Sequence, residues 1–357
     1  MKVDFLLVGR GIAGSALAVE LIKAGKSVCC IENRGLSSSS IIAAGLFNPV
    51  VFKRTTLSWR AIEALDKAEK FYRWLEAETD NRFYYPTGLY RIFGTGHEAN
   101  HWKKLHQANV YSGILGEVTH EKEKPWLNQP FGGAHIHGAG HVDTNGFIKA
   151  AGIFIGNKAE IIEETFLPEQ ITLTSEGIEY KNIKATNVIF CEGFLAEKNP
   201  WFRNLPFKTA KGEVLIIFSE ELPNESFSGN VYAVPLGSGY FKIGSTYVWN
   251  QTNQNPTPEM LDYLKDRISH LIRVPFEITG HEAGIRPTVS DRRPLIGLHP
   301  MHKALGIFNG MGTKGILLAP LLASEFADSL INHRSVMKEY SIDRFEIKDD
   351  SYGSAER

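Results

Sequence analysis

The fold is decided near the N-terminus by Asp4-Phe5-Leu6-Leu7-Val8-Gly9-Arg10-Gly11-Ile12-Ala13-Gly14, a short apolar run that leads into a Gly-x-Gly-x-x-Gly turn. An alanine-rich segment with helical spacing follows, and a second apolar run ends at Glu32. Strand, glycine turn, helix, strand and an acidic residue about 20 positions on are together the dinucleotide fingerprint. The sequence therefore predicts a Rossmann-like α/β unit that binds a dinucleotide. The fingerprint leaves FAD and NAD both open.

Each part of this fingerprint has a physical role. Gly9 permits the tight turn, Gly11 lets the backbone approach a pyrophosphate, and Gly14 allows the helix to pack closely on the strand. The helix N-terminus offers free N–H groups and a positive dipole end to the phosphates. Glu32 is expected to accept hydrogen bonds from ribose hydroxyls. The cofactor-binding residues predicted in this region are Gly9, Gly11, Ile12, Ala13, Gly14, Glu32 and Asn33.

Composition excludes several classes of protein. The 357 residues suffice for two domains or one large composite domain, and 43% hydrophobic and 22% charged residues are ordinary for a globular chain. A formal net charge of −1 gives no electrostatic support for a nucleic-acid or anionic-membrane surface. We find no signal peptide pattern and no apolar segment of about 20 residues, so no membrane span and a cytoplasmic location are expected.

The cysteines indicate a reducing compartment and no metal site. Cys29 and Cys30 lie in the second apolar run, where they are expected to behave as small buried apolar residues, and Cys191 stands alone. Three cysteines without a spacing framework do not indicate disulfides.

The central part of the chain alternates between helical and strand patterns. Residues 58–78 are predicted to form an amphipathic helix whose apolar face is Ile62, Leu65, Ala68, Phe71, Tyr72 and Leu75. Asp143 or Thr144 is expected to cap another helix, and Thr257-Pro258 to begin a third. Residues 212–249 alternate as an antiparallel sheet does.

A second informative region lies toward the C-terminus. Gly284-Ile285-Arg286-Pro287 precedes a strand at 305–308, a turn Asn309-Gly310-Met311-Gly312-Thr313-Lys314-Gly315 and a helix from 316 to about 330. This is a second strand–glycine turn–helix unit, and its helix N-terminus can hold another electron-rich group. A dehydrogenase of the NAD type does not need it, which favours FAD.

The two glycine turns, the serine run before Gly45, the 188–193 strand, Tyr232-x-x-Pro235 and Gly284–Pro287 together resemble the D-amino acid oxidase, glycine oxidase and sarcosine oxidase superfamily. The resemblance spans nearly the whole chain. It implies an extended FAD, with its ADP half on the first turn and its isoalloxazine near the second turn, facing an antiparallel sheet. The further cofactor-binding residues it implies are Ser39, Ser40, Ala44, Gly45, Gly193, Gly310, Met311, Gly312, Thr313, Lys314 and Gly315.

The resemblance also implies four catalytic residues. Arg286 aligns with the carboxylate-binding arginine of the family, and a guanidinium fork matches a carboxylate bidentately. Tyr232 aligns with a pocket tyrosine and Lys314 with a carboxylate-binding lysine. Lys242 aligns with a lysine implicated in oxygen activation on the far face of the flavin. The alternatives are a structural ion pair for Arg286, an ordinary strand aromatic for Tyr232 and a solvated lysine at 242.

Some positions depart from the family pattern. No cysteine follows Pro294 at the position of the covalent flavin tether in sarcosine oxidase, so non-covalent FAD is expected. Arg10 replaces a small residue of the first turn, where its side chain would either face solvent or cover the phosphates. Residues 310–320 also look like the flavin domain of a bifunctional tRNA-modifying enzyme, which oxidises a carboxymethylaminomethyl group on a wobble uridine.

These observations predict a mixed α/β fold: a Rossmann-like FAD-binding domain (1–55, 140–205 and 281–340), a discontinuous antiparallel-sheet substrate domain (56–139 and 206–280) and a charged tail (341–357). The predicted function is an FAD-dependent amine or amino-acid oxidoreductase. It moves a hydride from the α-carbon of a small amino acid or N-substituted glycine to flavin N5 and leaves an imine. Molecular oxygen or another acceptor takes the electrons, and the oligomeric state stays open. The alternatives are the tRNA reaction and a non-catalytic or electron-transferring flavoprotein subunit.

Overall fold

The computed structural model describes residues 1–33, 39–120 and 123–346. Within them the helices are α1 (Ile12–Lys23), α2 (Ser39–Ile42), α3 (Ala61–Thr79), α4 (Gly96–Gln107), α5 (Thr144–Gly156), α6 (Pro258–Ser269) and α7 (Gly315–Asn332). The first strands are β1 (Lys2–Val8), β2 (Val28–Glu32), β3 (Leu46–Phe47), β4 (Val50–Val51), β5 (Thr56–Leu57), β6 (Tyr84–Tyr85), β7 (Leu89–Ile92), β8 (Leu115–Thr119), β9 (Gly133–Ile136), β10 (Gly140–Val142) and β11 (Glu160–Glu163). The remaining strands are β12 (Ile171–Thr174), β13 (Gly177–Tyr180), β14 (Ile183–Phe190), β15 (Ala210–Phe218), β16 (Phe227–Ser228), β17 (Tyr232–Gly237), β18 (Tyr240–Gly244), β19 (Val248–Trp249), β20 (Glu277–Arg286), β21 (Leu295–Leu298) and β22 (Leu305–Asn309).

One sheet has a parallel centre. Strands β11, β2, β1, β14 and β22 pair in that order, all parallel, while β12, β13 and β21 add antiparallel edges. Both faces are covered, so the strands read as nearly continuous apolar runs, as parallel strands do. Helices α1, α5 and α7 pack on one face around Leu7, Cys30 and Ile189, and side chains such as Val188 and Phe190 are buried on the other. The mixed α/β architecture is confirmed.

A second, mostly antiparallel sheet stands against the first. Its strand order is β19, β15, β18, β17, β16, β7, β9 and β8, with β20 also paired to β15. One face buries Leu215, Phe241 and Ile243 against α6. The other face looks toward the two glycine turns, and this arrangement places the strands predicted within 212–249 as the roof of a cavity.

Helix α7 carries a proline inside its second turn, and a neighbouring helix compensates for it. Pro320 has no N–H, so the carbonyl of Ile316, four residues earlier, loses its helical partner. The hydroxyl of Tyr72, on α3, donates a 2.7 Å hydrogen bond to that carbonyl. The expectation that no apolar segment of about 20 residues exists is wrong for Gly312–Asn332, which is long and apolar enough to cross a membrane. This segment is mostly buried against α1 and α3, as a core helix is.

Several predicted boundaries differ from the structure. Helix α3 begins at Ala61 rather than at residue 58, because Arg60 has left-handed backbone geometry with φ of 52°. Ile62, predicted to lie on its apolar face, is 55% exposed, while Ala61 and Ala64 are buried in its place. Asp143 caps α5 through hydrogen bonds from the amides of Asn145 and Gly146, as predicted.

The predicted tail is anchored at its start. Tyr340 and Ile342 are buried, and residues 347–357 lie outside the described residues, as do Ser37 and Ser38 of the serine run. The division into domains stays a prediction. Its boundary at residue 281 falls inside β20.

We predict that Tyr72→Phe destabilises the protein by about 1–3 kcal/mol, because the Ile316 carbonyl then stays buried without a donor. Chemical denaturation of the two proteins measures the loss. The double variant Tyr72→Phe/Pro320→Ala is the matched control, since an alanine at 320 supplies the missing N–H. It should be more stable than Tyr72→Phe alone; equal stability would contradict this account.

Candidate functional site

A cavity of about 620 Å³ runs between the two sheets. The β1–α1 turn lies at one end and the β22–α7 turn lies further along the same cavity. Strands β15, β17 and β20 contribute Gly212, Tyr232 and Arg286 to its roof. Its size is within the range of small-molecule and cofactor sites, about 300–1,000 Å³.

The first turn is tight because glycines allow its backbone to touch neighbouring strands. Gly9 has φ of 94°, and a Cβ there would press on the carbonyl of Cys191, directly after the end of the neighbouring strand β14. A Cβ at Gly14 would overlap the carbonyl of Gly9. Helix α1 therefore begins directly above the sheet, with its N-terminus at the cavity and no side-chain cap at Gly11. The Ile12 amide donates to the Ser40 hydroxyl at 3.1 Å, which ties the predicted serine segment to this turn.

Arg10 neither faces solvent nor stands alone, which corrects one of the two orientations expected from the sequence. It is 7% exposed, and its Nη2 pairs with Oε1 of Glu32 at 2.8 Å. Its Nη1 donates to the carbonyl of Ile148 on α5 at 2.9 Å. The acidic residue of the fingerprint is thus paired with the unusual residue of the glycine turn.

The second turn is fastened to the first sheet by a buried asparagine. Asn309, at the end of β22, donates from its side-chain amide to the carbonyl of Gly193 at 2.9 Å. Its side-chain oxygen accepts from the amide of Gly310 at 2.7 Å. Gly193 and the second glycine turn are therefore held side by side, although more than a hundred residues separate them in the chain.

Arg286 reaches the cavity from the end of β20. Its guanidinium donates to the Ser245 hydroxyl at 2.7 Å and to the Thr246 carbonyl at 3.3 Å, and lies over the ring of Tyr247 at 5.1 Å. No carboxylate in the described part of the chain pairs with it, so the structural ion pair considered as an alternative is not present there. Burial lowers the pKa of Arg286 from its usual value, yet a guanidinium remains charged at neutral pH.

Lys314 is a second cation in the same cavity without an acidic partner among the described residues. Its Nζ donates to the backbone carbonyl of Asn48 at 2.8 Å. Desolvation by burial lowers the pKa of Lys314 to about 8. Near neutral pH the ammonium is therefore mostly charged and can be neutralised by an anionic ligand.

Tyr232 and Lys242 have different positions. Tyr232 lines the cavity on β17, and burial raises its pKa, with Arg286 acting in the opposite direction, so the phenol is neutral at neutral pH. Lys242 is buried on β18 and does not line the cavity in the described structure. Its Nζ donates to the carbonyl of Ile42 at 3.0 Å and pairs with Glu282 at 3.2 Å. It is not solvated, and its side chain ties the last residue of α2 to the roof.

Two further groups lie beside the first turn. Glu192 lines the cavity, and its carboxylate accepts a 2.8 Å hydrogen bond from the Asn199 amide. Burial raises the pKa of Glu192 to about 7. Burial also raises the pKa of Cys191 well above its usual value, so that thiol is protonated.

Most of the predicted cofactor-binding residues line the cavity: Gly9, Gly11, Ile12, Ala13, Glu32, Asn33, Ser39, Ser40, Ala44, Gly45, Gly193, Met311, Gly312, Thr313, Lys314 and Gly315. Gly14 and Gly310 do not line it and instead allow close packing beside it. In the described ranges no three His, Cys, Asp or Glu side chains are placed to hold a metal ion.

Sequence reasoning missed several residues of the site. Asn309 carried a signal, since it is a polar residue at the end of an apolar run and directly before the glycine turn. Gly212 and Ser245 carried none, because their importance depends on which strand pairs with which. Gly212 lies opposite Gly284 in the pairing of β15 with β20, and the guanidinium of Arg286 rests against its Cα.

We predict that Gly212→Ala weakens carboxylate binding as removal of the Arg286 side chain would, because the added Cβ would overlap the guanidinium and displace it. The affinity for a carboxylate ligand should fall by about tenfold or more, because a hydrogen bond to a charged group contributes about 1.5–3 kcal/mol. Gly156→Ala, at the end of α5, is the matched control, since its Cβ would meet its nearest neighbour at 3.9 Å. Unchanged carboxylate affinity in Gly212→Ala would contradict the placement of Arg286.

Comparisons with known proteins identify the family of this chain. The family model described as DAO, FAD dependent oxidoreductase, matches residues 4–329. The glycine oxidase of Bacillus subtilis is 22% identical over 96% of this chain and 98% of its own length. The tRNA 5-methylaminomethyl-2-thiouridine biosynthesis bifunctional protein MnmC of Marinobacter nauticus is 22% identical over 91% of this chain, which spans 55% of that protein's length.

The structural comparison supports the same fold. The crystal structure of glycine oxidase from Geobacillus kaustophilus superimposes with a TM-score of 0.81, at 22% sequence identity, over 99% of this chain and 100% of that one. The family match covers both glycine turns, Arg286 and the strands between them. The chain therefore belongs to the DAO family of FAD-dependent oxidoreductases.

Proposed function

We propose that this FAD-dependent enzyme oxidises the C–N bond of a small amino acid or N-substituted glycine to an imine. The observation that carries the proposal is Arg286, a cation without an acidic partner among the described residues, in the same cavity as both glycine turns. A buried charge is costly unless it is paired. A substrate carboxylate would supply the partner, and the guanidinium fork fits it in a bidentate way.

The cavity fits FAD along its length. The amides and the positive dipole end of α1 suit a diphosphate, and Glu32 lies at the end of β2, where ribose hydroxyls are recognised. The second turn, from Met311 to Gly315, lies on the same cavity beneath the roof strands. When bound, FAD would supply the two-electron acceptor for a hydride from the substrate α-carbon. Non-covalent binding remains a prediction from the sequence.

The residues of this chain would act by binding and alignment. Arg286 would hold the carboxylate, with Ser245 and the ring of Tyr247 fixing the guanidinium. Tyr232, as a neutral phenol, would donate a hydrogen bond to the same group. Lys314 would add a second positive charge. Such alignment removes much of the entropic cost of the reaction, and no strong base is required once the substrate amine is neutral.

The oxygen-activating role of Lys242 remains a prediction, and so does the identity of the electron acceptor. In the structure Lys242 is engaged by Ile42 and Glu282. We propose for it the role of holding the C-terminal end of α2 against the roof, so that the cavity keeps its shape.

A second candidate is oxidation of a carboxymethylaminomethyl group on tRNA. It is favoured by the similarity to MnmC, which extends over 91% of this chain. The chemical core of that group is a glycine, so the same carboxylate-binding cation would serve. The net charge of −1 offers no general attraction for RNA, which places this candidate second.

The test is an anaerobic titration of the purified protein, followed at the visible absorbance of the flavin. The panel contains glycine, sarcosine, proline, D- and L-amino acids, and tRNA with carboxymethylaminomethyl-uridine. We expect bleaching by a free amino acid, and Arg286→Ala should raise the concentration needed by about ten- to a hundredfold, since hydrogen bonds to charged groups contribute about 1.5–3 kcal/mol. Bleaching by tRNA only would support the second candidate. A yellow protein that nothing in the panel bleaches would contradict both.

Lys314 gives a separate prediction about pH. Because its pKa is lowered to about 8, the ammonium is charged below that pH and is lost as the pH rises through it. The affinity for a carboxylate without an amine, such as acetate, should therefore fall as the pH rises from 7 to 9. The comparison is made in a Glu192→Gln background, since Glu192 lines the same cavity with a pKa of about 7, and there the Lys314→Met variant should lack this dependence. Acetate has no group that titrates in this interval, and Arg286 stays charged. An identical pH profile in both proteins would exclude a role for Lys314 in carboxylate binding.

A further inference from the structure

Arg10 is the residue of the glycine turn that the proposed reaction does not use. It occupies a position inside Gly9–Gly14 and lines the cavity, and it is 7% exposed. Arginines are almost never this buried without a partner. The place of this side chain beside the cofactor site therefore needs a reason.

The guanidinium of Arg10 joins the first glycine turn to two elements, β2 and α5. Nη2 pairs with Glu32 at the end of β2, and Nη1 donates to the Ile148 carbonyl of α5. Its plane also lies against Gly152, where a Cβ would be 2.9 Å from Nη1. Its Nε is buried without a hydrogen-bond partner. If Arg10 served only to stabilise the fold, its Nε would be expected to have an acceptor, because an unsatisfied buried donor is destabilising.

The charges explain why the pair is needed at this place. A guanidinium just before the N-terminus of α1 lies at the positive end of the helix dipole and is unfavourable alone. A carboxylate at Glu32 close to a diphosphate is also unfavourable alone. Together the two charges cancel, and the Glu32 carboxylate keeps the capacity to accept further hydrogen bonds, because each carboxylate has about four acceptor positions.

We propose that Arg10 is a positioning residue for the cofactor: it fixes the carboxylate of Glu32 toward the adenosine ribose and cancels its charge beside the diphosphate. This role concerns cofactor affinity and is independent of which substrate is oxidised. It makes the adenosine half of FAD the part of the ligand that senses Arg10.

The test compares Arg10→Met, which keeps the length of the side chain without the charge, with the natural protein. The dissociation constant of FAD is measured from the fluorescence of flavin released on dilution of the holoenzyme, and that of ADP from its competition with FAD. We expect both constants to rise by about tenfold in Arg10→Met, while the visible spectrum of the flavin that stays bound is unchanged. Arg10→Lys should recover part of the loss, because it restores the charge but not the fork.

The control is Arg91→Met, which removes another partly buried arginine paired with a glutamate, Glu98, at 2.8 Å and outside this cavity. It should leave both constants unchanged. The double variant Arg10→Met/Glu32→Gln should bind ADP more tightly than the product of the two single effects predicts, because no uncompensated carboxylate remains.

Three results would overturn the proposal: unchanged ADP affinity in Arg10→Met, an equal loss in Arg91→Met, or strictly additive effects of Arg10→Met and Glu32→Gln. Should Arg10→Met fail to fold, Arg10→Lys and Glu32→Gln in the natural background still decide it. Arg10→Lys must then weaken FAD and ADP by the same factor. A loss of FAD affinity without a loss of ADP affinity in that variant would also overturn the proposal.

Discussion

The site depends on two positive charges that the described protein does not neutralise. Arg286 and Lys314 line one cavity from two different elements, one from the end of β20 and one from the β22–α7 turn. Both are partly withdrawn from water, as the lowered pKa values show, and neither meets a carboxylate in the described structure. Two such cations without partners lower the free energy of unfolding of the protein, and binding of an anionic ligand raises it again.

Keeping these charges in place explains much of the surrounding architecture. Arg286 lies between Gly212 and Tyr247, so its guanidinium has one position rather than many. Asn309 holds the second turn against Gly193, which keeps Lys314 at a fixed distance from the first sheet. Tyr72 secures the start of α7, the helix that follows Lys314, where Pro320 leaves a carbonyl without its partner. Residues far apart in sequence are therefore required to fix the positions of the two cations in the cavity.

Features that depend on neighbouring residues could be predicted from the sequence, whereas features that depend on the pairing of distant strands could not. The glycine turns, the Asp143 cap and the helix beginning at Pro258 follow from neighbouring residues, and the structure confirms them. Ile62 does not lie on the buried face of α3, where the small side chains of Ala61 and Ala64 are buried instead, and a pattern of large apolar residues does not predict this. The roles of Gly212 and Ser245 arise only when β15, β18 and β20 are side by side, so no single-sequence pattern could predict them.

The residues of this chain that conflict with their local environment lie mainly at the cavity. An arginine inside a glycine turn, a glutamate at the end of the buried strand β14 and a lysine just before an apolar helix each conflict with their surroundings. In a minimally frustrated sequence such conflicts are expected at functional sites, where stability yields to another requirement. The three conflicts also differ in kind. The charge of Arg10 is compensated within the protein by Glu32. Glu192 can avoid the desolvation cost of a buried carboxylate by binding a proton, since its pKa is about 7. Lys314 has no acidic partner in the described structure, so it is the conflict that a bound anion resolves.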